Sequence, residues 1–138
     1  MTTILYVEDE ALLRQQVAEE LEDNGYTVLQ ASDGDEGLEM MLKHEPDLVL
    51  CDVTMPGKDG HQLLREIRTR NPHFAQMPFA FLTSLGEVEH VIAGLKLGAD
   101  DYIAKPVDLD LLLVVVENGL KRVERILGAK DNARSEAA

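Results

Sequence analysis

Short apolar runs alternate with amphipathic helical stretches along this chain. That alternation restricts the fold more than any other feature. Residues 4–7, 26–31, 47–51, 78–82 and 101–104 read as strands, each short, apolar and bounded by turn or charge signals. Leu13, Val17 and Leu21 recur at helical spacing before the stop signal Asn24-Gly25. Asp33, with Glu36 three residues on, caps a second helix whose apolar side carries Leu38, Met41 and Leu42, and Pro46 follows its end. Leu63, Leu64 and Ile67 share one face of a third helix over 57–70. Val88, Val91, Ile92 and Leu95 mark a fourth, stopped by Gly98, and a last helix runs from 108 to about 127. Apolar strands separated by amphipathic helices predict a parallel sheet covered on both faces. Right-handed crossovers wind such a chain into a doubly wound, three-layer α/β sandwich.

Ligands in that class bind outside the carboxyl ends of the strands, near the point where the winding reverses. Here the polar residues gather at those ends. The first strand ends in Glu8 and Asp9, the third in Asp52 before Thr54-Met55-Pro56-Gly57, the fourth in Thr83 and the fifth in Lys105. In the flavodoxin-like strand order 2-1-3-4-5, the first and third strands are neighbours. Glu8, Asp9 and Asp52 then converge, with Thr83 and Lys105 lining one side of the cleft. Two unit charges ~4 Å apart repel by about 4 kcal/mol at an effective dielectric near 20, so such a site retains a proton or binds a cation. Oxygen-only ligands with room for water suit Mg²⁺. A carboxylate beside bound Mg²⁺ can attack a phosphoryl group.

Composition narrows the classes. The 138 residues, 45% hydrophobic, suffice for one self-supporting core. Against 13 Lys+Arg stand 26 Asp+Glu, a net charge of -13, which argues against direct binding of nucleic acid. The one basic cluster, residues 121–125, is diluted by Glu124 and reads as a solvated helix face. A single Cys forms no internal disulfide and fits a reducing compartment; Cys51 itself reads as a small core residue. The start has no basic-then-apolar secretion pattern. The longest apolar run, 111–116, is far short of the ~20 residues that span a bilayer, so a cytoplasmic protein is expected.

Five stretches in order carry a resemblance. They are Tyr6-Val7-Glu8-Asp9-Glu10, the run from Asp52 to Gly60, Leu82-Thr83-Ser84, Gly98-Ala99-Asp100-Asp101-Tyr102, and Lys105-Pro106. Any one is weak; together, each at a predicted strand end, they resemble the receiver domain of two-component response regulators over residues 3 to about 122. The resemblance implies a phosphoacceptor role for Asp52, supplied by a histidine kinase or phosphotransfer protein. It implies Mg²⁺ held by Asp9, Asp52 and the Thr54 backbone carbonyl, with Glu8 acting through water. Thr83 corresponds to the switch hydroxyl, Lys105 to the phosphate-pairing cation, and Tyr102 to the aromatic that turns inward when Thr83 moves. A cis Lys105–Pro106 bond is implied too. The acidic pair departs mildly, with Glu8 where many members carry Asp. A charged hydrogen bond from Thr83 supplies roughly 1.5–3 kcal/mol, against the ~5.5 kcal/mol that reverses a 1:99 equilibrium, so the implied shift is large but incomplete.

Plainer readings stand beside these. Glu8 and Asp9 can simply cap a helix, and Tyr102 can be packing. His44, His61, His73 and His90 show no metal spacing and read as surface residues. Leu109, Leu112, Val116, Leu120, Val123 and Leu127 form a coiled-coil seam. That seam suggests a homodimer through the fourth helix, fifth strand and fifth helix, or a linker to an output domain or effector; the bland alternative packs it on the sheet. Residues 1–122 then form the receiver, and 123–138 a helix extension with a frayed tail. The competing function is a Mg²⁺-dependent phosphohydrolase with an aspartyl-phosphate intermediate, but Thr54 stands where a second acid is wanted. A flavodoxin-like cofactor binder is disfavoured because Glu8-Asp9-Glu10 repels an uncomplexed phosphate.

Overall fold

The computed structural model describes residues 2–70, 72–84, 92, 96 and 98–137, without the side chains of 73 and 125–137. Strands β1 (Thr3–Val7), β2 (Thr27–Ala31), β3 (Leu48–Asp52), β4 (Phe79–Ser84) and β5 (Asp101–Lys105) form one parallel sheet in the order β2-β1-β3-β4-β5. Helices α1 (Ala11–Asp23), α2 (Gly34–His44) and α3 (Gly60–Arg70) follow the first three strands, and a short 3₁₀ turn, Pro72–Phe74, precedes β4. The C-terminal helix spans Leu109–Ala137. Of the fourth predicted helix, Ile92 and Lys96 are helical and Gly98 turns with φ +95°; Val88, Val91 and Leu95 lie outside the described residues.

Alternation along each strand divides the core in two. Leu5, Val7, Val49, Cys51, Phe79 and Phe81 pack under α2 and α3 against Leu38, Met41, Leu63, Leu64 and Ile67. Ile4, Tyr6, Leu48, Leu50, Leu82 and Ile103 face the other way, against Val17 and Leu21 of α1 and Leu112 and Val116 of the C-terminal helix. β3 is buried at every residue, as the middle strand of a sheet covered on both faces must be. The helix boundaries follow local chemistry. The Asp33 carboxylate accepts from the Glu36 N–H at 2.8 Å, and Glu36 reaches back to the Ser32 hydroxyl at 2.9 Å. Gly25, at φ +91°, ends α1 in the left-handed region that glycine enters without penalty.

The sheet covers part of the apolar repeat on the C-terminal helix. Leu112 and Val116 are fully buried against the sheet, and Leu109, Leu113, Val115 and Leu120 pack beside them, so the intramolecular core takes up this part of the seam. The faces left open carry Leu111 and Val114, each about half exposed (48% and 50%). The helix also runs ten residues past the expected end at 127, because residues 129–137 are mostly good helix formers. Nor is the basic cluster wholly solvated: Arg122 pairs with Asp100 at 2.9 Å, and Asp100 accepts the Phe79 N–H at 2.6 Å where β4 begins.

Candidate functional site

Strand register brings the acids together. Val7 pairs with Cys51 between β1 and β3, so the next residues, Glu8 and Asp52, leave the sheet side by side. Asp52 pairs with Leu82 across β3 and β4, and Ser84 with Lys105 across β4 and β5, which levels all the carboxyl ends. The period of two puts Glu8 on the same side as Tyr6, and the Tyr6 hydroxyl donates to Glu8 Oε1 at 3.2 Å. The Glu10 N–H donates to Glu8 Oε2 at 3.3 Å, and the Glu8 carbonyl accepts from Arg14 at 2.6 Å. After Asp52 the chain turns through Met55, Pro56 and Gly57, whose φ of +73° glycine supplies. The Thr54 N–H folds back onto Asp52 Oδ1 at 3.2 Å.

Lys105 closes the cluster. Its Nζ lies 2.9 Å from Asp52 Oδ2 and 3.0 Å from Glu8 Oε1, bridging two carboxylates that would otherwise face each other. The Lys105–Pro106 peptide bond is cis, as the resemblance implies. Burial opposes the charge of Lys105, yet Asp52 and Glu8 hold its ammonium above the ordinary lysine value. Glu8 is fully buried. Burial, reinforced by Asp52 and opposed by Lys105, pushes its carboxyl up to about 7. Burial and the neighbouring Glu8 raise the Tyr6 phenol well above its usual range. Cys51 is buried beside the site with its thiol pushed up by burial, in keeping with a core role.

Carboxylate oxygens of Glu8, Asp9 and Asp52 lie within 4.8 Å of one another, two of the residues buried and Asp9 exposed. Among the described residues, three acids against one lysine leave the site short of positive charge. Hard oxygen donors with one side open to solvent fit Mg²⁺, which keeps several waters. The chain's own donor chemistry thus matches the magnesium pocket of a receiver domain. Thr54, whose carbonyl is the expected third ligand, meets this cluster through its N–H on Asp52 Oδ1.

Thr83 and Tyr102 occupy the other parity of the sheet. Thr83 is buried at the end of β4, its hydroxyl donating to the Ser84 carbonyl at 3.5 Å, and it pairs in register with Ala104, next to Lys105. Tyr102 is half-buried, pairs in register with Phe81 and lies against its ring, centroids 5.4 Å apart. Burial pushes its phenol up to about 12. Among the described side chains one histidine departs from the surface reading, while the side chain of His73 and the whole of His90 lie outside the described residues. His61 is half-buried in the first turn of α3, its Nε2 3.3 Å from the Tyr102 hydroxyl and its ring edge-on to Phe81 at 5.0 Å. His44 is exposed as expected. Tyr6 was legible as a partner of Glu8 from its place two residues earlier on one strand; His61 carried no such signal, because its contacts come from strands 20 and 41 residues away.

Residues 4–117 match the family described as response regulator receiver domain. A response regulator receiver domain protein from Clostridium thermocellum superposes with a TM-score of 0.84 at 32% identity, covering 91% of this chain and 99% of that one. The chemotaxis protein CheY4 of Vibrio cholerae superposes with a TM-score of 0.82 at 31% identity, covering 87% and 99%. The DNA-binding dual master transcriptional regulator RpaA of Synechocystis is 36% identical over 126 residues, 91% of this chain and 52% of that protein. The chain thus spans about half the length of the curated relatives it matches. With the match running from Ile4 in β1 to Glu117 in the C-terminal helix, all of the sheet but Thr3 falls inside it, and this chain belongs to the family of response regulator receiver domains.

Proposed function

We propose that Asp52 is the residue that accepts the phosphoryl group, drawn from a phosphohistidine of a partner kinase or phosphotransfer protein. The observation that carries this reading is the Lys105 bridge, 2.9 Å to Asp52 and 3.0 Å to Glu8, beside the three clustered acids. An Asp52 oxygen attacks phosphorus; the new O–P bond forms as the N–P bond breaks, and the leaving histidine keeps the electron pair and takes up a proton. Asp9 and Asp52 would hold Mg²⁺ directly, with Glu8 acting through water, and the ion would supply charge that offsets the phosphoryl oxygens. Lys105 trades its contact with the Asp52 carboxylate for one with a phosphoryl oxygen. The Thr54 N–H, already directed at Asp52, helps hold the same region. The Thr83 hydroxyl moves toward the phosphoryl group, and Tyr102 follows inward. Water later hydrolyses the acyl phosphate, so the chain's own chemistry is self-phosphorylation and self-dephosphorylation.

In this reading the switched surface is the fourth helix, β5 and the C-terminal helix, which pairs with a second copy or an effector in the cytoplasm. Residues 1–122 carry the switch, and 123–138 extend toward an output partner. Among the described residues, no helix is long and apolar enough to cross a membrane. The test is incubation with Mg²⁺ and acetyl phosphate, followed by intact mass. One phosphoryl group is expected, absent in Asp52→Ala and after Mg²⁺ is chelated. Undiminished labelling of Asp52→Ala overturns the assignment.

A further inference from the structure

We propose that His61 is a positioning residue that holds Tyr102 against Phe81 and ties it to the phosphoacceptor loop. The inference rests on the switching role given above to Tyr102. Three rings touch one another in pairs. Phe81 and Tyr102 are register partners on β4 and β5, with centroids 5.4 Å apart. His61 stands edge-on to Phe81 at 5.0 Å and shares a 3.3 Å hydrogen bond with the Tyr102 hydroxyl. The Phe81 ring sets the tyrosine's depth, and the histidine holds its far end.

The backbone just before His61 connects this latch to the site. The Gly60 N–H donates to the Val53 carbonyl at 2.9 Å. Gly60 sits so close that a Cβ there would lie 2.4 Å from the Asp52 carbonyl oxygen and 2.7 Å from Phe81 Cε1. The first turn of α3 is therefore wedged against the residue that takes the phosphoryl group. A shift of the Asp52–Val53 backbone reaches the His61 ring one residue later, with no slack for a side chain to absorb. Tyr102 thus receives two inputs: Thr83 through the β4–β5 pairing, and the loop through His61.

The test uses His61→Phe, which keeps a ring against Phe81 but removes the hydrogen bond, and His61→Gln, which removes the ring but keeps a bonding group. Proteins labelled with 3-fluorotyrosine give three resonances, and Tyr102→Phe assigns that of Tyr102. The solvent isotope shift of that resonance reports how far the ring opens to water. His61→Phe is expected to raise it, and His61→Gln to hold it near the native value. Labelling by acetyl phosphate is expected to slow roughly threefold to tenfold in His61→Phe, the worth of one hydrogen bond, and to be unaffected by the same change in a Tyr102→Phe background. An unchanged isotope shift in His61→Phe overturns the latch, as does an equal slowing without Tyr102. If native protein takes no label at Asp52, the phosphoacceptor reading fails by itself, and the isotope shift alone decides the latch.

Discussion

Gly60 shows how little freedom the site leaves to a single residue. A methyl group there meets backbone, the Asp52 carbonyl oxygen at 2.4 Å, and a fixed ring, Phe81 Cε1 at 2.7 Å. Neither is the loose end of a flexible side chain, so Gly60→Ala must move β3's exit or the first turn of α3. Overpacking of this kind costs about 1–3 kcal/mol, and we expect a fall in the urea midpoint of that order. Labelling of Asp52 should drop with it, because the displaced atom belongs to Asp52 itself. Gly57 makes the contrast. Nothing lies within 4 Å of its would-be Cβ, and only its φ of +73° resists substitution. Gly57→Ala should therefore cost about 1–2 kcal/mol through the backbone alone. A Gly60→Ala protein as stable and as readily labelled as the native one would remove the wedge from the account.

At the scale of elements, the C-terminal helix divides between an inner and an outer face. Leu112 is fully buried between the helix and the sheet, while Leu111, one residue earlier, is half exposed. Leu112→Ala is expected to lose about 2–5 kcal/mol, and Leu111→Ala to stay within about 0.5 kcal/mol, as measured by urea unfolding. Equal losses would mean that Leu111 is covered in solution. The strands were legible because burial leaves short apolar runs that end at polar or charged residues, and their order followed from the doubly wound class those runs imply. For the same reason Glu8, Asp9, Asp52 and Lys105 were legible as one site: parallel strands with level ends deliver their next residues to one edge. The seam stayed open to two readings because a helix packed on a sheet and a helix packed on another helix both repeat apolar residues every three or four positions. His61 and the Arg122–Asp100 pair were not legible at all. Each joins elements remote in sequence through one contact, and periodicity says nothing of which exposed-looking polar residue finds a partner.

For the whole molecule, electrostatics couple the site to stability. The chain carries a net charge of -13, and at the site three acids meet one lysine. Glu8 concentrates the strain, its carboxyl standing at about 7 when folded against an ordinary 4.5. Between those values the folded protein holds a proton that the unfolded chain has released. Stability therefore falls as pH rises across this window, opposite to the behaviour of a carboxylate whose folded value is depressed. A shift of this size corresponds to at most about 3 kcal/mol once Glu8 is ionised. Glu8→Gln removes the titration, so the native protein's stability relative to Glu8→Gln should decline from pH 5 to pH 8 without metal. Mg²⁺ binds the ionised cluster and competes with that proton, stabilising the folded state by mass action. Thermal unfolding at pH 5.5 and pH 8 with and without Mg²⁺ checks both halves: the gain in Tm on adding Mg²⁺ should be larger at pH 8, and much of that difference should vanish in Glu8→Gln. A Mg²⁺ gain that is larger at pH 5.5 would place the metal away from Glu8, Asp9 and Asp52.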